Sequence, residues 1–388
     1  MTETQFAVAS TPTATPFAAL IGAKNPSLEL ATYRGALTPH KLDAPEIETE
    51  ALVSGAGVHD LGWMRRVSVT GDDSFRWLNG MVSNTVNDLG SNAGAWNLVL
   101  NAQGRIQGDL WVWRDGNSLE LEVAADQFDK LMAHLNRFII MDDVELAPVE
   151  GETALGVIGP LANDVLAHAG LPALPGPLTQ VRGEFNGVAI LVRRSYGVLA
   201  QHYEIRVHSS GVEALWDALR SGGATPVGTS TLESFRIAEG IPAYGIDIEE
   251  RDLAQETSQA RALCFSKGCY LGQEIVERIH ARGNVHRHLR HLELAGPLPQ
   301  RGAGLFSQAG AADVPTTAGT AKPSGQITSA AELLRHNSKR VFALAMVRAE
   351  AEVREQVLHY AVGSETGTGR LLAGPPTLSS ESTGSIRS

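Results

Sequence analysis

Apolar positions between Gly57 and Val149 follow two alternating periods. RRVSVTG (65–71) alternates as a half-buried strand does, whereas DDSFRWLNGMV (72–82) places Phe75, Leu78 and Val82 on one helical face, with Asp72 or Asp73 as the cap. WNLVLNAQGRIQGDLWVWRDGNSLELEV (96–123) reads as three strands joined by turns at Ala102–Gly104 and Arg114–Asn117, an antiparallel meander. Helical spacing returns at Phe128, Leu131, Leu135 and Phe138. Hairpins in place of regular strand–helix alternation predict an α+β fold.

GLPALPGPL (170–178) separates a short helix at LANDVLAHA (161–169) from two strand patterns, GVAILVRRSYG and HYEIRVHS. Two more helices follow: VEALWDALRSGG, ending at paired glycines, and TLESFRIAEGIPAYG, stopping at Gly240. Beyond Gly283 the texture changes to short strands and many Gly, Ala, Thr and Pro turns, which predicts a small β-barrel. The expected organisation is a loose tail over 1–22, an α+β module over 23–148, a second over 149–283 interleaved with it, a β-barrel over 284–374 and a tail over 375–388. No fixed-period repeat is present, which argues against solenoids and propellers.

The composition is that of a folded globular chain, 43% hydrophobic and 19% charged. Lys and Arg number 32 against 43 Asp and Glu, a net charge of −11, so the surface as a whole repels nucleic acid and anionic membranes. The first twenty residues lack Lys and Arg and are interrupted by Pro12 and Pro16, unlike a signal peptide. No run reaches the ~18 apolar residues of a membrane span, and the expected location is the cytoplasm. Two cysteines cannot build a disulfide framework and point to a reducing compartment.

The most informative stretch is FSKGCYLGQEIVERIHARGNVHRHLRHL (265–292). GQEIVERIHARG reads as a short helix, with Glu274 in its first turn and facing Arg278, Ile275 and Ile279 inward, and Gly283 as its stop. Cys269 then lies just before a helix N-terminus and two residues after Lys267, and both features favour thiolate over thiol. The alternative is a small buried hydrophobe, the role expected of Cys264. The five-residue separation of the cysteines matches no common zinc pattern, and His286 and His288 lack an acidic or thiol partner, so no metal ligands are assigned. From Arg278 to His291 there are four Arg, four His and no acid, a strip able to attract an anion or simply a solvated face.

KGCYLGQE, followed by a short helix, ARG and VHR, resembles the signature of the YgfZ family, folate-binding relatives of the glycine cleavage T-protein implicated in maintaining iron–sulfur clusters. GVHDLGWMRRVSVTGDDSFRWLNGMVSNTV, LVLNAQGRIQGDLWVW and ESFRIAEGIPAYGIDIEE are similar to the wider T-protein superfamily, so the resemblance covers about residues 50–365. It implies a cloverleaf of three modules around a central channel holding tetrahydrofolate or a one-carbon derivative, with the barrel as the last module.

Two departures stand out. Where T-proteins carry paired aspartates, GRIQGDLWV keeps Asp109 alone, with Gly108 as its neighbour; the resemblance gives such an aspartate the role of orienting the pterin amine. Where T-proteins place an acid before the strand HYEIRV, this chain has Ala200 and Gln201, whose amide can still bond the pterin. The candidate catalytic residues are Cys269, Lys267 and Asp109. The candidate folate contacts are Asp109, Gln201, Tyr244, Gln273, Glu274 and Arg282, with Trp63 as a possible stacking partner and Glu239, Asp247 and Glu249 as loop carboxylates. The leading expectation is a tetrahydrofolate-binding accessory protein serving iron–sulfur client or assembly proteins through Cys269. The alternatives are a folate-dependent aminomethyl- or methyltransferase and a non-catalytic binding module.

Overall fold

The computed structural model describes residues 11–283, 285–307, 322–335, 338–354 and 357–378. The chain begins with α1 (Pro16–Lys24), the hairpin β1 (Leu30–Tyr33) and β2 (Ala36–Pro39), α2 (Pro45–Ser54), β3 (Gly57–Asp60) and β4 (Met64–Thr70). Next come α3 (Ser74–Met81), the meander β5 (Ala93–Leu100), β6 (Ile106–Asp115) and β7 (Ser118–Ala124), α4 (Phe128–Asn136), β8 (Glu145–Pro148) and β9 (Glu152–Ile158). α5 (Ala162–His168), β10 (Thr179–Phe185), β11 (Val188–Ser195), β12 (His202–His208), α6 (Val212–Ser221), β13 (Thr225–Pro226), α7 (Thr229–Ala238) and α8 (Gln273–Arg282) lead to the last part. It holds β14 (Arg287–Ala295), β15 (Gly304–Leu305), β16 (Gly325–Arg335), β17 (Ser338–Arg348), α9 (Ala349–Arg354), β18 (Val357–Val362) and β19 (Glu365–Leu371).

Eleven strands form one sheet in the order β13-β3-β9-β12-β11-β10-β5-β6-β7-β4-β8. β3 comes early in the chain yet pairs with β9 and, in parallel, with β13. The sheet curls strongly. Arg66 on β4 and Glu204 on β12, six places apart in strand order, meet at 2.5 Å, and Arg193 on β11 reaches Glu120 on β7 at 2.5 Å. The join between β10 and β5 rests on a single Cα pair, Thr179 with Ala93, beside the Gly94 and Gln180 backbone bonds.

The second sheet, β15-β16-β17-β14-β19-β18, is antiparallel throughout, and a bridge between Phe306 and His359 links its edges into a nearly closed barrel. β17 is buried from Val341 to Val347 because it has two apolar partners. Val341, Ala343, Ala345 and Val347 fill the barrel, while Phe342 packs with α7 residues and Leu344 and Met346 pack with Trp96, Leu98 and Ile106. That face fixes the barrel against the large sheet.

Several local expectations change. The loose tail expected over 1–22 holds α1: Pro16 occupies the first helical turn, where a missing N–H costs nothing, Thr15 accepts from the Ala18 N–H, and Phe17 is fully buried against Trp216. Residues 1–10 lie outside the described residues. The tail expected from 375 is docked through Leu378, which packs on the cluster of Leu52 and Phe342, and through Thr377, whose carbonyl accepts from Arg340; 379–388 lie outside the described residues. Asp73 does not cap α3 with its side chain, which is taken by the Asp143 N–H and by Arg76. In α8, Val276 is the buried residue, with Ile275 and Ile279 only half-buried.

Candidate functional site

A cavity of 230 Å³ opens inside the curl of the large sheet. Trp96 on β5, Asp109 and Trp111 on β6, and Glu122 on β7 supply one side; His59 on β3 and His202 on β12 face them. Phe235, Arg236 and Glu239 from the end of α7, with Trp63 and Arg261, complete the wall. Seven Phe, Tyr and Trp rings contribute to it, a lining suited to a flat heterocycle.

Asp109 is held on three sides. Gln127 Nε2 donates to Oδ1 at 2.7 Å, Trp96 Nε1 donates to Oδ2 at 3.0 Å, and the Asp109 N–H donates to Gln127 Oε1 at 3.0 Å. Gly108 makes this possible: a Cβ there would stand 2.9 Å from Gln127 Oε1 and 3.0 Å from Leu131. The absent second aspartate thus coincides with a glutamine that fixes the first.

Glu239 is not a solvated loop carboxylate but is 4% exposed. Its Oε1 accepts from the Val198 and Leu199 N–H groups at 2.8 and 2.9 Å, and His202 Nε2 lies 3.2 Å from Oε1 and 3.1 Å from Oε2. Burial works to raise its pKa, yet His202 and the backbone donors outweigh it and hold the carboxyl below its ordinary value. His59 is buried over Gly156, where a Cβ would fall 2.1 Å from Nε2, and burial lowers its pKa to about 4. Beneath the cavity, the Glu122 and Glu204 carboxyls share a hydrogen bond between Arg66 and Arg193. Burial and the neighbouring charge push Glu122 up, while Arg66 and Arg193 overcome burial and draw Glu204 down, so one proton is shared by the pair.

Of the residues singled out in the sequence, Asp109, Trp63 and Glu239 line this cavity. Tyr244 is instead buried in the cluster of Trp96, Leu98 and Ile248. Gln201 lies outside the lining, with Oε1 buried and unpartnered. Gln273, Glu274 and Arg282 sit on α8, also outside it, and Glu274 pairs with Arg278 at 2.5 Å on the surface. α8 is set by tight backbone contact. Gly272 has φ +84°, and a Cβ there would lie 2.6 Å from the Asn101 carbonyl oxygen.

The Lys267 ammonium is committed to main-chain carbonyls, and its charge is among the influences that lower the Cys264 thiol. Lys267 Nζ is buried and donates to the carbonyls of Asn79, Val82 and Asn84 at 2.7, 2.6 and 2.7 Å, using all three protons at the end of α3. Cys269 is exposed, outside the cavity. Cys264 is not core but half-exposed; burial opposes its ionisation, yet bonds from Ser266 and nearby backbone N–H groups draw the thiol below its ordinary value. The basic strip is largely neutralised: Arg287 binds Asp252 and Glu256, Arg290 and His288 bind Glu352, and burial lowers His291 to about 4. Asp247 is buried, pairing with Arg236 at 2.7 Å and accepting from Thr328 and Ser329 of the barrel. Among the described residues no group of three His, Cys, Asp or Glu is placed to hold a metal, and no helix is long and apolar enough to cross a membrane.

His59, His202 and Arg261 were not among the candidates. Their only signal was a place within or close to the stretches GVHDLGWMRR, HYEIRV and FSKGCYLGQE.

The GCVT N-terminal domain family matches residues 30–267. The chain is 27% identical over 277 residues to an aminomethyltransferase of Herpetosiphon aurantiacus, covering 68% of this chain and 72% of that protein. It is 26% identical over 255 residues to the chloroplastic protein At1g60990 of Arabidopsis thaliana, covering 64% of this chain but only 58% of its relative's length. Among solved structures, the glycine cleavage system aminomethyltransferase T of Bartonella henselae superposes with a TM-score of 0.81 at 19% identity, over 94% of this chain and 98% of that one. That likeness shows the fold.

Proposed function

Because this chain belongs to the family of the GCVT N-terminal domain, we propose that it binds tetrahydrofolate or a one-carbon derivative in the aromatic cavity and takes part in folate-dependent one-carbon transfer of the aminomethyltransferase type. The observation that carries this reading is the Asp109 carboxylate, fixed by Gln127 and Trp96 at the wall of a cavity lined by aromatic rings. The residues suit a pterin: flat apolar walls, an anionic acceptor held in place, and Trp63 Nε1 left buried without a partner. Bound folate would supply the nucleophilic amine that carries the one-carbon unit. Asp109 orients that amine and accepts its hydrogen bond, Gln127 keeps the carboxylate from rotating away, and the tryptophans exclude water.

Titration with tetrahydrofolate, read by quenching of tryptophan fluorescence, tests this. Saturable binding that weakens at least tenfold in Asp109→Asn is expected; no saturation would sink the reading.

A second reading, service to iron–sulfur proteins through Cys269, is favoured by one observation: the thiol is exposed on the loop before α8, outside the cavity, where a macromolecular partner can reach it. On this reading Cys269→Ser leaves folate binding unchanged but fails to restore iron–sulfur enzyme activity in a deletion strain. Full restoration would remove the cysteine from the function.

A further inference from the structure

A second cavity of 330 Å³ lies between the end of α7, β14 and residues 372–375. Tyr196, Glu239, Ile241 and Arg261 line both cavities and form the partition between them. Arg261 is anomalous there. The buried Arg66, Arg193 and Arg206 each touch a carboxylate, whereas Arg261 touches none among the described residues and feels Glu239 and Asp109 only from beyond ion-pair distance. Its guanidinium stacks on Tyr196 at 3.7 Å and stands over Trp96 at 4.7 Å, Nε donates to Gln259 at 3.1 Å, and Nη1 is buried with no hydrogen bond. Stacking offsets only part of the cost of burying a cation, so the ring sandwich presents a pre-oriented donor edge with no carboxylate in contact.

Two further orphans converge on the same space. Glu239 is 4% exposed, and its Oε2 makes no hydrogen bond although His202 lies 3.1 Å away. On the far wall, His291 Nε2 is buried and unpartnered. A cationic donor and an anionic acceptor left open side by side ask for a ligand that carries both charges.

We infer that the second cavity binds a small zwitterionic amino acid as co-substrate, its carboxylate against Arg261 and its ammonium against Glu239. A glutamyl tail reaching through from the folate cavity fits less well, because it brings carboxylates without a cation and would set one beside Glu239. The inference rests on the folate reading, which makes the neighbouring cavity the place where the co-substrate meets the carrier.

Titration calorimetry of the full chain with glycine and N-methylglycine, against methylamine and acetate, tests it. The zwitterions should saturate and bind at least tenfold more tightly than either half-molecule. Arg261→Gln should lower zwitterion affinity at least tenfold. If that variant fails to fold, Ala373→Trp, at the exposed rim of the second cavity, should abolish zwitterion binding and retain tetrahydrofolate. Absent zwitterion binding overturns the inference, as does acetate binding equally well. Arg261→Gln weakening tetrahydrofolate but not the zwitterion would assign the cation to the folate tail. Failure of tetrahydrofolate alone to bind wild-type protein counts against the proposed function; failure of the zwitterions alone counts against this site.

Discussion

Gln127 grips Asp109 from both ends, donating to its carboxylate at 2.7 Å and accepting from its backbone N–H at 3.0 Å. Removing the amide in Gln127→Ala leaves the carboxylate with Trp96 alone and free to turn. About 1–2 kcal/mol of orientation should be lost, seen as a five- to thirtyfold weaker tetrahydrofolate affinity with little change in melting temperature. Unchanged affinity would place the pterin away from Asp109.

Glu122 and Glu204 should respond to amidation in opposite ways. Glu122→Gln imitates the protonated partner and should shift stability by less than about 1 kcal/mol. Glu204→Gln strips Arg66 and Arg193 of a counter-charge and should cost about 3–5 kcal/mol. Urea midpoints of the two variants check this; equal losses would mean that both acids are ionised in the folded protein.

His59 makes stability depend on pH. Burial lowers its folded pKa to about 4, against about 6.5 unfolded, so between these values the unfolded chain binds more protons and stability falls as pH falls. The contribution lost by pH 4 is roughly 3 kcal/mol. His59→Gln should therefore lose less stability than wild type between pH 7 and pH 5 in chemical denaturation. Parallel pH profiles would show that His59 titrates normally.

Much of the architecture could be read from period and turn chemistry. The meander β5–β7 follows its alternation and its Gly104 and Gly116 turns, and α8 runs between Gly272 and Gly283 as its sequence suggests. Asp109 was accessible through the motif around it. The rest of the site was not, because its walls come from strands far apart in the chain: His59 and His202 meet only after β3 and β12 flank β9. Glu239 misled because a carboxylate after a helix resembles a solvated one until the N–H groups of Val198 and Leu199 turn toward it. Lys267 misled through sequence proximity to Cys269, whereas its ammonium bonds carbonyls some 185 residues earlier.

That placement of Lys267 is itself testable. Lys267→Met leaves three carbonyls without a donor and should cost about 3 kcal/mol, read from the urea midpoint. The rate of Cys269 alkylation in the folded protein should be unaffected. A slower rate at unchanged stability would return the lysine to the thiol.

The large sheet curls back on itself through buried ion pairs among Arg66, Glu122, Glu204, Arg193, Glu120 and Arg206 rather than through a main-chain ladder. Its clasp is therefore written in six side chains scattered along the chain, not in the pairing of any two strands. A single charge reversal among them should loosen that clasp while the hairpins keep their ladders, so tetrahydrofolate binding should change before far-ultraviolet circular dichroism does.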